Sequence, residues 1–474
     1  MSALKILFSH SYFYPLDQKQ WDNKTPYPPL GTIWAASYMK EKGCDVSLYD
    51  TNLRDNVDDL NEILQHNKPD IFVVYDDGFN YLTKMCLTTM REMAFSMIKQ
   101  AKKQGIFVVV SSSDAADHYE KYIEAGANAV VIGEGEITLN EVIENRTNIT
   151  DDIKGIAYPE NGEIVVTKAR PVLKELDLLP SPAWDLVDMP QYKAVWKQGK
   201  HNFTLNIATT RGCPFKCNWC AKPIYGNRYN TRSPEKVVEE IAFLNQQFGA
   251  SKFWMCDDIF GLKPGWVRKF KELLQAKQLK ISYKIQSRAD LLLQDEQIQD
   301  LAESGLSEVW IGAESGSQKI LDAMDKGITV EQIETATQQL KKYGVKVCFF
   351  LQFGYIGESK EDIAKTLHMI RKNKPFDIGV SVSYPLPGTP FYDKVKSQLS
   401  SKANWVDSDE LAMMFQGTFN TSYYKTLHRY VHRMFRFNQG LEAKTIRSII
   451  LLPYQLILMT LFKIRLSLMG NTHE

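Results

Sequence analysis

Little in this chain is present in excess. Across 474 residues the basic and acidic side chains nearly cancel, 57 against 56, for a formal net charge of +1. No basic footprint exists for nucleic acid, and none is expected as a partner. No internal repeat or low-complexity run is visible, which sets aside a repeat array. The opening MSALKILFSHSYFY lacks a charged-then-apolar leader and runs straight into a strand-like segment, so a cytoplasmic, reducing location is expected. The seven cysteines (44, 86, 213, 217, 220, 256, 348) are odd in number, which disfavours a disulfide framework. Long apolar runs are also missing. The strongest, Ser448–Phe462, contains Pro453 and falls short of the roughly twenty residues that span a bilayer.

What is present reads as an ordinary globular composition, 44% hydrophobic and 24% charged, at a length that suits two or three domains. Residues 1–150 alternate short β-branched runs (LKILFS, DVSLYD, DIFVVYD, IFVVVSS, NAVVIG) with helical patterns. This predicts an α/β fold with a doubly wound parallel sheet. Ligands on such sheets sit beyond the carboxyl ends of the strands, where Ser111, Ser112, Ser113 and Asp114 fall, and also Gly133, Glu134 and Gly135. The two glycines allow a close backbone approach to a ligand, or mark a plain turn. Residues 151–200 read as a hairpin turning at Asn161-Gly162, then a linker with prolines at 180, 182 and 190.

A second alternation fills 201–395, with strands at TLNIAT, KFWMCD, SYKIQS, EVWIGA, VKVCFFLQF and IGVSVSY. Six βα units predict a partial TIM-type (β/α)6 barrel, whose active site lies at the strand C-termini. Polar residues follow those strands: Asp257 and Asp258, then Arg288, Glu314, Gln352 and Tyr384. Directly after the first strand comes ATTRGCPFKCNWC, with Cys213, Cys217 and Cys220 inside eight residues. Three thiolates suit a four-iron cluster that leaves one iron open, and an open position marks catalysis. A zinc knuckle would need a fourth ligand, and His201 and Cys256 fit no familiar zinc spacing.

The C-x3-C-x2-C spacing with Trp219 before the last cysteine resembles the radical S-adenosylmethionine superfamily. The resemblance implies a [4Fe-4S] cluster on the three cysteines, S-adenosylmethionine on the open iron, and reductive cleavage to a 5′-deoxyadenosyl radical. It further implies Asp257 or its rival Asp258 for the cofactor's amino group, Arg288 for its carboxylate and Glu314 for its ribose. The loops FGYIGES (353–359) and YPLPGTP (384–390) would line adenosine and substrate. A flavodoxin- or ferredoxin-type electron donor follows as a partner. YPPLGTIWAASYMKEKGCDVSLYD and AGANAVVIGEGEITLNEVI resemble the cobalamin-binding domain of one branch of that superfamily. The D-x-H-x-x-G motif is missing, and Ser111–Asp114 stands where a glycine-rich loop is expected.

These readings predict a radical enzyme acting on a small molecule or lipid. Cobalamin-dependent methylation of an unactivated carbon comes first, with rearrangement or ring closure beside it. An oxidoreductase or sulfur-inserting enzyme without cobalamin is the alternative, and a non-catalytic iron–sulfur sensor is the alternative from another class. Residues 396–474 read as helical. His428 and His432 stand four apart, a metal-compatible spacing, in a stretch read rather as a solvated basic face. The apolar run, flanked by Lys444, Arg447, Lys463 and Arg465, is expected to pack against the barrel, with peripheral membrane contact through 445–469 as the alternative.

Overall fold

A computed structural model of the protein describes residues 3–222, 224–399, 404–408, 410–443 and 446–469. Lys444 and Thr445 of the flanks just named lie outside these residues. The chain resolves into two compact units. The first comprises Met1–Pro214, Lys222–Asp258 and Asn404–Glu410; the second comprises Phe215–Ala221, Ile259–Ala403 and Leu411–Glu474.

In the first unit, seven strands form one sheet: β1 (Lys5–Ser9), β2 (Asp45–Tyr49), β3 (Ile71–Tyr75), β4 (Phe107–Ser111), β5 (Ala129–Val131), β6 (Ile156–Glu160) and β7 (Glu163–Val166). Their order is β2-β1-β3-β4-β5-β6-β7, and β1 to β5 pair in parallel. Alternation along each strand divides the core into two layers. Leu7, Phe72, Val74, Val108 and Val110 face one layer, while Ile6, Phe8, Val73 and Val109 face the other. Helices Leu60–Asn67 and Thr88–Lys103 cover the first layer, and Leu30–Glu41 and Glu136–Glu144 the second. This is the doubly wound arrangement predicted. The hairpin turns at Asn161 (φ 52°) and Gly162 (φ 84°), and both left-handed residues suit a tight two-residue turn. Its strands β6 and β7 extend the sheet edge in antiparallel fashion.

A second sheet is formed by β8 (Leu205–Ile207), β9 (Lys252–Met255), β10 (Ser282–Ser287), β11 (Leu306–Glu314), β12 (Lys346–Phe353) and β13 (Asp377–Val382). Its strands follow one another in chain order. Within each unit its pairing is parallel, with Trp254 opposite Asn206 in the first, and Ile285 opposite Val309 and Phe353 opposite Val382 in the second. All six predicted strands are present. Helices between them begin where the sequence supplies caps, as at Thr329 and Ser359, each of which closes a capping box.

Two long helices follow, Thr421–Ala443 and Ile446–Leu468. The first carries an apolar stripe (Tyr424, Leu427, Val431, Met434) that is buried in the second unit. The second departs from expectation. It is helical through Pro453, packs against its predecessor, and between 451 and 468 buries only Leu466. The reason is its composition: apolar all round, it offers no single stripe to a core. By length and composition, Leu451–Leu468 could cross a membrane.

Candidate active site

Within the first unit, the turn leading into the cysteine loop is fixed by buried charge. Asp257, just past β9, accepts from the backbone N–H groups of Thr209 and Thr210 and from the Thr209 hydroxyl, each at 2.7 Å. Burial pushes its carboxyl up to about 6 against those hydrogen bonds. Asp258 faces Lys84 at 2.5 Å. Arg211, two residues before Cys213, is 2% exposed and is clamped by Glu134 and Glu136, each at 2.6 Å. Gly212 follows at φ 79°, where a Cβ would meet the Arg228 carbonyl at 2.4 Å, so only glycine fits.

These contacts redefine several predicted positions. Glu134 is taken up by Arg211 and by the Leu173 N–H. Gly135 is explained by packing, because a Cβ there would stand 2.6 Å from the Tyr75 ring. Gly133 adopts φ 89°. Ser111 ends β4, and its carbonyl accepts from the Asp76 N–H. Ser112 caps the short helix Ser113–Asp117. Asp114 binds the Arg91 guanidinium in bidentate fashion and accepts from the Tyr122 hydroxyl. The Ser113 hydroxyl is buried without a hydrogen-bond partner among the described residues. That orphan donor at the carboxyl edge of the sheet fits a polar ligand group.

Within the second unit, Phe215–Ala221 is tied down by Asn218. Its side-chain amide donates to the Ala323 carbonyl and Asp325, both at 2.8 Å, and its side-chain oxygen accepts from Tyr355 at 2.8 Å. Its backbone bonds Met324 and Phe391. Two cations stand by this loop. Arg288, just past β10, reaches the Cys217 sulfur at 3.9 Å and lies over the Phe215 ring at 3.8 Å. Lys326, 6% exposed, bonds Glu314 at 2.8 Å and lies over the Trp219 ring at 5.8 Å. Burial alone would lower the Lys326 pKa, but Glu314 and then Cys217 more than offset it, and the net shift is upward.

Glu314 ends β11 at φ 54°, an uncommon conformation for a residue with a side chain, at a register shift in the sheet. Gln352 donates to the Ser383 hydroxyl at 3.0 Å, and Tyr384 is buried just past β13. The Trp219 indole N–H and the Ser287 hydroxyl are orphaned among the described residues. None of the seven cysteines is in a disulfide, and Cys213, Cys217 and Cys220 are half-buried. No trio of His, Cys, Asp or Glu stands at metal-holding distance among the described residues. The chemistry of the set nonetheless fits an iron–sulfur cluster: three cysteines outside any disulfide on one short loop, with the Arg288 guanidinium beside Cys217. Sequence reasoning missed Arg211, Asn218 and Lys326. The first two sit inside the cysteine motif, whereas Lys326 carries no local signal.

The segment 207–370 matches the Radical SAM superfamily. That segment is a Radical SAM domain by this match, and the chain is an enzyme of the radical S-adenosylmethionine type. Among its relatives is an uncharacterized methyltransferase of Pyrococcus horikoshii, 28% identical over 80% of this chain and 81% of the relative. The anaerobic magnesium-protoporphyrin IX monomethyl ester cyclase of Rubrivivax gelatinosus is 28% identical over 85% of this chain and 73% of the cyclase. Its fold is shared with the radical S-adenosylmethionine methyltransferase TsrM of Kitasatospora setae, solved with cobalamin and a [4Fe-4S] cluster bound. That match has a TM-score of 0.69 at 18% identity and covers 84% of this chain and 75% of TsrM.

Proposed function

We propose that this enzyme binds a [4Fe-4S] cluster through Cys213, Cys217 and Cys220 and methylates an unactivated carbon of a small molecule, with cobalamin as methyl carrier. The observation that carries this reading is the cysteine loop following β8, with the Arg288 guanidinium beside Cys217. Cluster and S-adenosylmethionine together supply a radical strong enough to take hydrogen from an unactivated C–H bond. Cobalamin, when bound, supplies a transferable methyl group.

The chain's own residues bind, orient and dry the site. Asp257 holds the strand-end turn that presents Cys213. Asn218 holds the backbone that carries Cys217 and Cys220. The Arg288 fork is held by the Asp290 carboxylate at 2.9 and 3.0 Å and by the Lys326 and Gly327 carbonyls, which fixes the guanidinium beside Cys217. Trp219 and Ser287 offer spare donors, and Ser113 offers one at the edge of the first sheet. The methyltransferase relative and the fold shared with TsrM support methylation. The cyclase relative supports ring closure as a second reading. A one-electron donor of flavodoxin or ferredoxin type completes the system.

The test is anaerobic reconstitution with iron, sulfide and cobalamin, then dithionite and S-adenosylmethionine. Release of 5′-deoxyadenosine is expected, and its absence overturns the radical reading. A cobalt absorbance band should persist through gel filtration; if it does not, methylation from cobalamin falls. A product heavier by one CH2 marks methylation, and one lighter by two hydrogens marks ring closure.

A further inference from the structure

The final helix, Ile446–Leu468, leaves water in contact with side chains that ordinarily form a core. Leu451, Tyr454, Leu456, Ile457, Leu461 and Ile464 are all between 42% and 59% exposed. Soluble chains rarely display so continuous an apolar surface without a partner to cover it. The preceding helix, Thr421–Ala443, packs against β13 and the helix Lys360–Asn373 and holds the final helix outside it. Arg433 fixes the pair by donating to Gln455 at 3.1 Å and lying over Tyr454.

Charge decides which partner fits. Across 421–469 the sequence carries Lys425, Arg429, Arg433, Arg436, Lys444, Arg447, Lys463 and Arg465, but Glu442 is its one acid. Glu442 is already paired with Lys374. A second copy of this helix pair would set basic surface against basic surface. Anionic lipid headgroups complement it instead. Length decides the orientation. From Arg447 to Lys463 the helix rises about 24 Å, short of the roughly 30 Å hydrocarbon layer, so a spanning pose would draw a basic end toward hydrocarbon. It can lie flat with its leucines in the acyl boundary and its basic ends among headgroups.

We infer that Ile446–Leu468 is a membrane-surface anchor that seats the enzyme on an anionic phospholipid bilayer. This is independent of the proposed chemistry, and its test has no catalytic readout. Full-length reconstituted protein is floated with vesicles of phosphatidylglycerol mixed with phosphatidylcholine, and with vesicles of phosphatidylcholine alone. Flotation with the anionic vesicles is expected, weaker by about tenfold on the neutral ones and at raised salt. The triple variant Leu456→Glu, Ile457→Glu, Leu461→Glu should lose flotation by about tenfold or more while keeping its melting temperature, because all three side chains are exposed. A second variant, Lys463→Glu with Arg465→Glu, should weaken flotation to the anionic vesicles alone. Protein that stays at the bottom of the gradient overturns the inference, as does a triple variant that floats like the parent. A parent dimer that the triple variant converts to monomer, without flotation, assigns the helix to a second copy and overturns it equally.

Discussion

Lys326 and Glu314 form a buried ion pair whose members come from different elements, and each is 6% exposed or less. Taking two charges out of water costs several kcal/mol each, and the pair holds only while both partners are present. Lys326→Met is therefore expected to cost about 3–5 kcal/mol by stranding the Glu314 carboxylate. Glu314→Gln added to it should recover most of that loss, as read from urea midpoints of the apo protein. Equal midpoints for the single and double variants would show that Glu314 does not depend on Lys326. Glu314 was legible in the sequence from its place after a strand. Lys326 was not, because its role depends on Glu314, which only folding brings to it.

At the scale of elements, the cysteine loop is held by backbone geometry as much as by side chains. Gly212 takes a left-handed conformation against the Arg228 carbonyl, and Arg211 beside it is clamped by two glutamates. Gly212→Ala should displace the loop by a few tenths of an ångström or more, since a Cβ cannot sit 2.4 Å from a carbonyl oxygen. Iron loading after reconstitution should fall severalfold, while the far-ultraviolet dichroism of the sheets is retained. Full iron loading would contradict this role. The strands themselves were readable because period-2 alternation and β-branched runs are local signals. The fate of the β6–β7 hairpin was not, because edge pairing depends on what the neighbouring strand leaves open.

The whole molecule carries a pH dependence set by buried acids. Glu358 is fully buried, its carboxyl accepts the Gly354 N–H, and burial pushes its pKa from 4.5 to about 8. The folded chain therefore keeps this proton up to about pH 8, whereas the unfolded chain releases it near 4.5. Stability from this group is full below about 4.5 and is lost as pH rises through 8. Asp257 adds the same trend over a narrower window, from 3.8 to about 6. Glu358→Gln, neutral at every pH, should remove the Glu358 part of the slope. Its unfolding free energy should gain on the parent between pH 5 and 8, and the gap should level off above that. Urea titrations at three pH values measure this, and parallel curves would refute it.

The sequence alone determined the two α/β alternations, the three-cysteine loop and the polar residues at six strand ends, because each is written in local spacing. Tertiary structure decided which of those residues were already spoken for. Glu134 went to Arg211, Asp257 to Thr209 and Thr210, and Gly135 to close packing with Tyr75. It also decided that the last helix stays outside the core. Partnership and exposure are properties of distant residues meeting, and no window of neighbouring letters contains them.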